Sequence, residues 1–358
     1  MPTNTREIRN CDDCGNEINL GDEYERISSN RLICVNCVEE RANTESEEDN
    51  DYSYSNSINS YGYKPSNKFH HADGSVSNRP NKTKYKDLPK EFNLPYMGAE
   101  LEAEAPDNSY LQDWAQRLTD ETSGLVYAKE DCTINHGFEM VTHPMDLDYV
   151  HNHTKNWENV ILDMRKAGWR AWDSSNCGFH IHLEKKSFIN ARHEVKFIYF
   201  IFKNKANMIK FAGRNSTYAR FNLESFINVN SSIWKEKKPS IMEVVKGVQK
   251  NGDYVPGPYE RNLAVNRLNE NTYELRFFKP SLRYETLLSY FEFTHCMWAF
   301  TKDVTFEQVM KENALTTFDV FANYARNNKN IYPHLIERMH KRKVSTKPKG
   351  WDDINDDK

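Results

Sequence analysis

Three short segments of this 358-residue chain carry ionisable side chains at every second position. They are residues 100–104, 178–183 and 272–277, with the sequences ELEAE, GFHIHL and TYELRF. Alternation with a period of two predicts strands that bury one face. The intervening positions are apolar, so the carboxylates, imidazoles and guanidinium would share the other face. A solvated face would favour Lys, Thr, Ser and Gln, and we therefore interpret this face as the lining of a site for metal and phosphate.

Further patterns extend the prediction to a large domain over residues 89–345. Strands are predicted at 96–104, 137–142, 178–184 and 272–278. Helical periodicity is found at 156–167, 194–211 and 284–300, and in two stretches of 301–342. Strands that alternate irregularly with helices predict an α+β fold. We expect an antiparallel-rich sheet with an open catalytic face and helices packed on its other face.

Residues 1–40 are predicted to form a small zinc-ribbon-like module. Two CxxC pairs have the spacing of a four-thiolate structural Zn²⁺ site. Their cysteines are Cys11, Cys14, Cys34 and Cys37. So short a segment has little core, and the metal would supply its stability. Such modules bind nucleic acid, bind protein or brace a neighbour. The many acidic residues of this one argue against nucleic acid and favour a protein partner.

Two segments are predicted to lie outside any core. Residues 41–88 are rich in Asn, Ser, Asp and Lys without sustained periodicity, which indicates a flexible linker. The pair His70–His71 falls in this linker and would be solvated. Residues 346–358 form a polar tail.

Composition narrows the function classes. The net charge is −4 and the pI about 6.3, which does not indicate a general binder of nucleic acid. No apolar run approaches the roughly 20 residues of a membrane span. The first residues lack an apolar signal core, and the seven cysteines include two CxxC pairs. We therefore expect a reducing, cytoplasmic location with a metal site rather than disulfides.

Acidic residues on the predicted face could hold divalent cations. Glu100 and Glu102 would lie about 7 Å apart on one strand, which suits two cations with oxygen ligands. Glu139 lies in an apolar run, and a buried carboxylate needs a metal or another cation as partner. Glu104 continues the stripe but is expected to face solvent at the strand end.

The basic residues fit the same kind of site. His180 and His182 share a face and could ligate a metal or contact phosphate. Glu274 and Arg276 add a carboxylate and a permanent cation that can bind phosphate through two donors. Taken alone, Glu274 and Arg276 would predict only a salt bridge.

Five motifs, in this order, resemble the phage and bacterial amidoligases, which are carboxylate–amine ligases of the glutamine synthetase superfamily. That family has a G-x-E-x-E strand, a D-x-S/T segment that ends in G-x-E-x-V-S/T-x-P, a G-x-H-x-H strand, a G-R pair and a T-x-E-x-R-F strand. The matching segments are 98–102, 131–144, 178–182, 213–214 and 272–277. The N-terminal module and the linker lie outside this resemblance.

The resemblance implies a glutamine-synthetase-like fold and an ATP-dependent ligase that forms an amide through an acyl phosphate. Glu102 and Glu139 would hold one Mg²⁺ or Mn²⁺ ion, and a second ion would lie between the ligands Glu100, His180 and Glu274. Arg276 and Arg214 would neutralise the transferring phosphoryl group, and His182 would contact substrate or phosphate. Asp131 would orient the attacking amine or accept its proton.

The same resemblance sets the expected partners. They are ATP, a carboxylate on a small molecule or a peptide, and an amine, in a host cytoplasm if the chain is phage-encoded. Two other functions remain open: a guanidino-kinase-like phosphotransferase on the same fold, and a scaffold without catalysis. The residues name neither the carboxylate nor the amine.

Overall fold

The alternating segments become neighbouring strands of one sheet in the computed structural model. The structure describes residues 9–11, 17–19, 24–28, 31–34, 57–85, 90–174, 176–221, 260–305, 309 and 318–344. The chain divides into two compact units, Met1–Asn56 and Ser57–Lys358. The predicted tail at 346–358 and residues 41–56 of the predicted linker lie outside the described residues.

The smaller unit contains two short antiparallel ribbons. Strand β1 (Arg9–Asn10) pairs with β2 (Glu17–Ile18), and β3 (Tyr24–Ser28) pairs with β4 (Arg31–Cys34). Cys11, Ile18 and Leu32 form its buried cluster. The backbone N–H of Cys34 donates a hydrogen bond to Cys11 Sγ at 3.3 Å. Cys14 and Cys37, the other predicted zinc ligands, lie outside the described residues.

The larger unit is built on a seven-stranded sheet. Its strands in spatial order are β14 (Val265–Asn266), β15 (Thr272–Phe278), β13 (Phe179–Glu184), β10 (Met97–Glu104), β12 (Gly137–Thr142), β11 (Val126–Lys129) and β5 (Ile58–Asn59). Neighbours are antiparallel except at the β11–β5 edge. Two small hairpins accompany it: β6 (Phe69–His70) with β7 (Val76–Ser77), and β8 (Lys82–Lys84) with β9 (Glu91–Asn93). The four predicted strands are thus confirmed.

Eight α-helices occur in the described residues. They are α1 (Leu111–Glu121), α2 (Leu147–Asn152), α3 (Lys155–Lys166), α4 (Ala191–Lys203), α5 (Lys205–Ala212), α6 (Tyr284–Asp303), α7 (Phe318–Asn327) and α8 (Pro333–Lys341). The single helix predicted over 194–211 is divided at Asn204 into α4 and α5. None of these described helices is both long and apolar enough to cross a lipid bilayer.

The apolar positions of the strands form the core between sheet and helices. Leu101, Phe179 and Leu275 are fully buried there. Helix α6 packs against this face, and the ring of Tyr290 lies 5.7 Å from that of Phe179 and 4.5 Å from that of Phe278. With one sheet face covered in this way, the ionisable side chains are left on the opposite face, as the period of two requires.

The prediction of a flexible linker is wrong for residues 57–85. Strand β5 closes the sheet edge, and the Asn59 side-chain amide donates to the Ala128 carbonyl at 2.8 Å. His70 and His71 are buried rather than solvated, each with 4% of its surface exposed. His71 Nδ1 is 2.5 Å from the Tyr96 hydroxyl. Hydrogen bonds of the backbone hold this polar segment in place. Such bonds do not require apolar residues at regular spacing, so the sequence pattern does not reveal them.

A buried carboxylate joins three helices of the larger unit. Glu292 of α6 is fully buried, and its Oε1 accepts hydrogen bonds from His151 Nε2 of α2 at 3.0 Å and from His334 Nδ1 of α8 at 2.7 Å. Its Oε2 accepts from the backbone N–H of Leu335 at 2.7 Å. Burial favours the neutral carboxyl, but these donors outweigh that effect and lower the pKa of Glu292. The bond to Glu292 raises the pKa of His334.

We expect Glu292→Gln to lower the free energy of unfolding by about 3 kcal/mol, because the histidines lose a buried ionic partner. The lowered pKa of Glu292 gives stability that is present above pH 4.5 and lost in acid. The raised pKa of His334 gives stability that is present below pH 6.5 and lost as the pH rises further. Urea denaturation should therefore show a larger deficit at about pH 5.5 than at about pH 8.5.

All seven tryptophans follow residue 56, so tryptophan fluorescence reports on the larger unit alone. Glu285→Gln is a matched control on the exposed side of the same helix, where a lost charge changes stability by less than about 1 kcal/mol. A deficit for Glu292→Gln that is equal at both pH values would contradict the ionic role of this residue.

Candidate active site on the polar sheet face

Strand register brings the predicted site residues together. Glu100 lies directly opposite His180, Glu102 lies opposite Glu139, and His182 lies opposite Glu274. Directly opposed residues of antiparallel strands point to the same face. Four adjacent strands, β12, β10, β13 and β15, therefore place all six side chains on one surface. The sequence predicted which side chains of each strand share a face. The structure shows which of them lie opposite one another across neighbouring strands.

Arg276 shares this face with Glu274 through the period of two, and a bulge follows it in β15. Between the pairs Phe179–Phe278 and Ile181–Leu275 the register shifts, so that His180 of β13 faces two residues of β15, Arg276 and Phe277. Bulges of this kind redirect side chains and are common beside active sites. Here the bulge lets consecutive phenylalanines at 277 and 278 both lie in the core, while Arg276 and Glu274 stay on the polar face.

Potential metal-ligand atoms converge in three groups on this surface. The groups are Glu102–Asp131–Glu139, Glu100–Glu139–His180 and Glu100–His182–Glu274, and within each group the ligand atoms lie within 4.8 Å of one another. Glu100 and Glu139 each belong to two groups, so the three form a continuous row. His180 Nδ1 is 3.3 Å from Glu100 Oε2 and 3.5 Å from Glu274 Oε1.

This grouping differs in three details from the ligand sets implied by the family resemblance. The implied set of Glu100, His180 and Glu274 is divided, since His180 lies with Glu100 and Glu139 while Glu274 lies with Glu100 and His182. Asp131 joins Glu102 and Glu139, although the resemblance gave it a role with the amine. His182, for which the resemblance gave a substrate or phosphate contact, lies with Glu100 and Glu274 among the ligand atoms. One oxygen of Asp131 accepts from the backbone N–H of Thr133 at 2.7 Å and fixes the turn before β12.

Two asparagines hold Glu274 in place, and neither was predicted from the sequence. Asn266 Nδ2 donates to Glu274 Oε2 at 2.7 Å, and Asn269 Nδ2 donates to the same oxygen at 3.2 Å. The guanidinium of Arg276 forms a close ion pair with Glu274 Oε1. Both carboxylate oxygens therefore have fixed donors, which orients the group before any ligand binds. Asn266 lies on β14 and reaches Glu274 through the register of the edge strand, a contact without a local sequence signal.

Gly178 leaves room for two side chains of the site. A Cβ atom at this position would lie 2.6 Å from His180 Nε2 and 2.8 Å from Arg214 Nη1, closer than real contacts allow. Arg214 follows Gly213, whose φ of +77° ends helix α5 in a left-handed conformation. Arg214 Nη1 donates to the Phe278 carbonyl at 3.3 Å. The G-x-H-x-H and G-R segments therefore meet at one point of the site.

Two of the carboxyl groups have raised pKa values. Burial, together with the nearby charge of Glu100, raises the pKa of Glu139 to about 9, although Lys129 Nζ lies 3.8 Å from Glu139 Oε2. Burial also raises the pKa of Glu102. Without an added cation, this end of the face therefore has more carboxylates than its positive charges can neutralise.

The other end of the face favours charged groups. Burial alone would lower the pKa of His182, but the Glu100 carboxylate reverses this and raises it to about 9. Burial would raise the pKa of Glu100 and of Glu274, yet the His182 imidazolium more than offsets it and lowers both. His182 and the two carboxylates thus form a charged, mutually stabilised cluster.

The donor set tests whether a metal would fit here. His182 Nε2 is already paired with Glu100 Oε1 at 3.1 Å, so the fit depends on the carboxylates and on His180. The donor set of carboxylates with imidazoles suits Mn²⁺ as well as Mg²⁺, since imidazole is an uncommon ligand for Mg²⁺. The residues therefore fit a divalent cation.

Cations and aromatic residues from distant parts of the chain lie close to the acidic row. Lys129 Nζ lies over the ring of Tyr61 at 5.2 Å, and Arg261 Nη2 donates to the Tyr61 hydroxyl at 3.1 Å. The positive charge of Arg261 acts on Glu274 and Glu100. Tyr61 falls in the predicted linker and Arg261 in a loop without a readable pattern, so neither was predicted.

Comparisons with known proteins give little beyond this geometry. No protein-family model and no curated protein matches the sequence. Among solved structures, a protein described as a novel glutamine synthase homolog aligns with a TM-score of 0.33 and 9% sequence identity. The alignment covers 70% of this chain and 65% of that chain, so less than two thirds of the other protein is matched. The function is therefore argued from the residues of the polar face.

Proposed function

We propose that this protein is an ATP-dependent carboxylate–amine ligase with a glutamine-synthetase-like fold. The observation that carries the proposal is the row of five carboxylates, two imidazoles and two arginines on one sheet face, with ligand atoms in groups of three. That row supports chemistry with divalent cations and phosphate. The order of the five sequence motifs selects amide formation within that chemistry.

Carboxylates would hold two Mg²⁺ or Mn²⁺ ions. Glu102 and Glu139, with Asp131 as a third ligand, would hold the ion at one end, and Glu100 with His180 and Glu274 would hold the other. Glu139 lies in the group with Glu102 and Asp131 and also in the group with Glu100 and His180, so it would connect the two positions. When bound, such ions neutralise the phosphates of ATP and the charge that develops during phosphoryl transfer.

In the first step a substrate carboxylate oxygen forms a bond to the γ-phosphorus of ATP, the bond to the bridging oxygen breaks, and ADP leaves. Arg276 would stabilise the transferring group, since its charge is permanent and its ion pair with Glu274 fixes its position. Arg214 lies beside His180, where it would take a similar part. His182 would donate to phosphate through an imidazolium whose pKa is about 9.

In the second step the amine nitrogen attacks the acyl carbon, phosphate leaves, and the nitrogen loses a proton. Asp131 is the candidate acceptor because one of its oxygens fixes the local turn while the group stays partly exposed. Since Asp131 would also be a ligand beside Glu102 and Glu139, its removal should weaken metal binding as well as turnover.

For the N-terminal unit we propose one structural Zn²⁺ ion bound by Cys11, Cys14, Cys34 and Cys37. The bond from the Cys34 amide to Cys11 Sγ supports this, because backbone amides commonly donate to metal-bound thiolates. Replacing Cys11 and Cys14 by serine should lower the zinc content by about one ion per chain, as expected for one four-ligand site. Equal zinc content in the variant and the parent would refute the site.

The activity can be tested with the full chain, ATP and Mg²⁺ or Mn²⁺ against pools of carboxylates and amines. ADP release and the masses of the products are measured, and hydroxylamine is added in a parallel reaction to trap an acyl phosphate as a hydroxamate. An amide product and a hydroxamate support the ligase. A stable phosphorylated product without amide supports the phosphotransferase. No turnover above that of Glu100→Gln across broad pools would favour a scaffold.

A further inference from the structure

A basic cavity lies at the end of strand β15. Its volume is about 390 Å³, and none of the described residues that line it is acidic. Five of them are cationic: Arg165, Lys279, Arg283, Arg338 and Arg342. The chain as a whole carries a net charge of −4, so this concentration of positive charge is local. A cavity lined by one sign of charge attracts ligands of the opposite sign.

Most of these cations lack a counter-charge among the described residues. Arg338 is committed to the fold, since it donates to the Phe211 and Ala212 carbonyls and to the Tyr290 hydroxyl. The other four form no ion pair with any residue that the structure describes, and Arg283 and Arg342 are exposed. Their donors are therefore available to a ligand. A neighbouring cavity of about 500 Å³ shares Arg342 and adds three lysines: Lys210, Lys341 and Lys343.

The chain connects this cavity directly to the polar sheet face. Lys279 follows β15, the strand that carries Glu274 and Arg276. Arg342 lies against Gly213, the residue before Arg214. Arg214 in turn donates to the carbonyl of Phe278, the last residue of β15. The cavity and the arginine end of the candidate active site are therefore linked through the backbone at Phe278 and Gly213.

The walls of the cavity limit the chemistry of its ligand. Helix α6 begins beside it, and the positive end of the helix dipole adds to the charge of Arg283. Pro280, Leu282 and Trp172 supply apolar surface, and Trp172 is 58% exposed. Several separated cations beside apolar carbon suit a molecule with more than one oxyanion on a carbon chain.

We propose that this cavity binds a multivalent oxyanion and, given the proposed function, holds the charges of the acid substrate that do not react. The class of substrate is then a compound with two or more carboxylate or phosphate groups, one of which reaches the metal-binding row. The role in substrate binding rests on the proposed function, whereas binding of the anion can be measured without turnover.

The test uses isothermal titration of the full chain, without ATP, at constant ionic strength. The probes are tricarballylate, a tricarboxylate, and inorganic pyrophosphate, with chloride as the monovalent reference. Saturable binding of either probe is expected, and the tighter one identifies the source of the oxyanions. The double substitution Arg283→Gln with Arg342→Gln should weaken binding by about tenfold or more, the effect of losing charge-assisted hydrogen bonds.

The matched control is Arg192→Gln, which removes an exposed arginine on helix α4 that does not line the cavity. It should change the dissociation constant by less than about twofold, because distant exposed charges are screened. Absence of saturable binding, or equal affinity in the double variant and the parent, would overturn the cavity as an anion site. Failure of the ligase proposal would show separately, as absence of ADP release with intact anion binding.

Discussion

Glu100→Gln is expected to reduce ATP-dependent turnover by a factor of roughly 10² to 10³, which corresponds to about 3–4 kcal/mol of transition-state stabilisation. Glu100 belongs to two of the three ligand groups, so its loss would remove a central ligand of the ion that His180 and Glu274 would also hold. The amide keeps the shape of the side chain and removes its charge. His182 loses the carboxylate that holds it charged, so its pKa should fall. ADP release at saturating ATP measures the effect.

The matched control is Glu104→Gln, on the same strand and the same face, two positions beyond Glu102. Glu104 belongs to none of the three ligand groups, so its variant should keep turnover within about twofold of the parent, as for a solvated surface charge. Titration with Mn²⁺ should show weaker binding in Glu100→Gln than in Glu104→Gln. Turnover in Glu100→Gln close to that of the control would remove the main support for a metal-dependent site.

The sequence predicted the strands that carry the site because a period of two is a local property. Glu100, His180 and Glu274 each alternate with buried apolar residues, and the structure keeps them on one face. The order of strands in the sheet is a non-local property, and no pattern within one segment determines it. No order of strands was therefore predicted, and the structure supplies it. The pairing of Glu102 with Glu139 likewise depends on register across 37 residues of sequence.

The contacts that were missed connect parts of the chain far apart in sequence. Tyr61 and Arg261 are separated by 200 residues and meet near the acidic row. Tyr61 lies in a polar stretch whose composition resembles that of disordered segments, although its backbone closes a sheet edge. Two-residue strands such as β5 and β14 are too short to show a period. Sequence reasoning therefore found the centre of the site but missed its surroundings.

Other missed features depend on side-chain partners in the core. The continuous apolar stripe over 194–211 gives no sign of the break at Asn204, where the side-chain amide donates to the Phe200 carbonyl at 2.9 Å. Glu292 did carry a signal, since it is an acidic residue within an aromatic-rich helix. Its two histidine partners lie 141 and 42 residues away, so the sequence alone could not identify them.

The carboxylates of the acidic row that would bind metal destabilise the metal-free fold when they ionise. Among them Glu139 has the largest raised pKa. In the folded protein without metal, burial and then the charge of Glu100 raise the pKa of Glu139 from 4.5 to about 9. Between these pH values the folded state binds more protons than the unfolded state. The free energy of unfolding should then fall as the pH rises, by up to about 1.4 kcal/mol per pH unit for this one group.

Glu139→Gln should remove this dependence, because glutamine resembles the neutral carboxyl group and does not ionise. In the presence of a chelator we expect the variant to be more stable than the parent by several kcal/mol at pH 9, with the difference vanishing near pH 4.5. Urea denaturation followed by tryptophan fluorescence measures both proteins. Saturating Mn²⁺ should stabilise the parent more than the variant, since only the parent offers the carboxylate. If the free energies of unfolding of the two metal-free proteins changed with pH in parallel, Glu139 would not be held neutral by its surroundings. The argument for a cation at this end of the row would then lose its electrostatic basis.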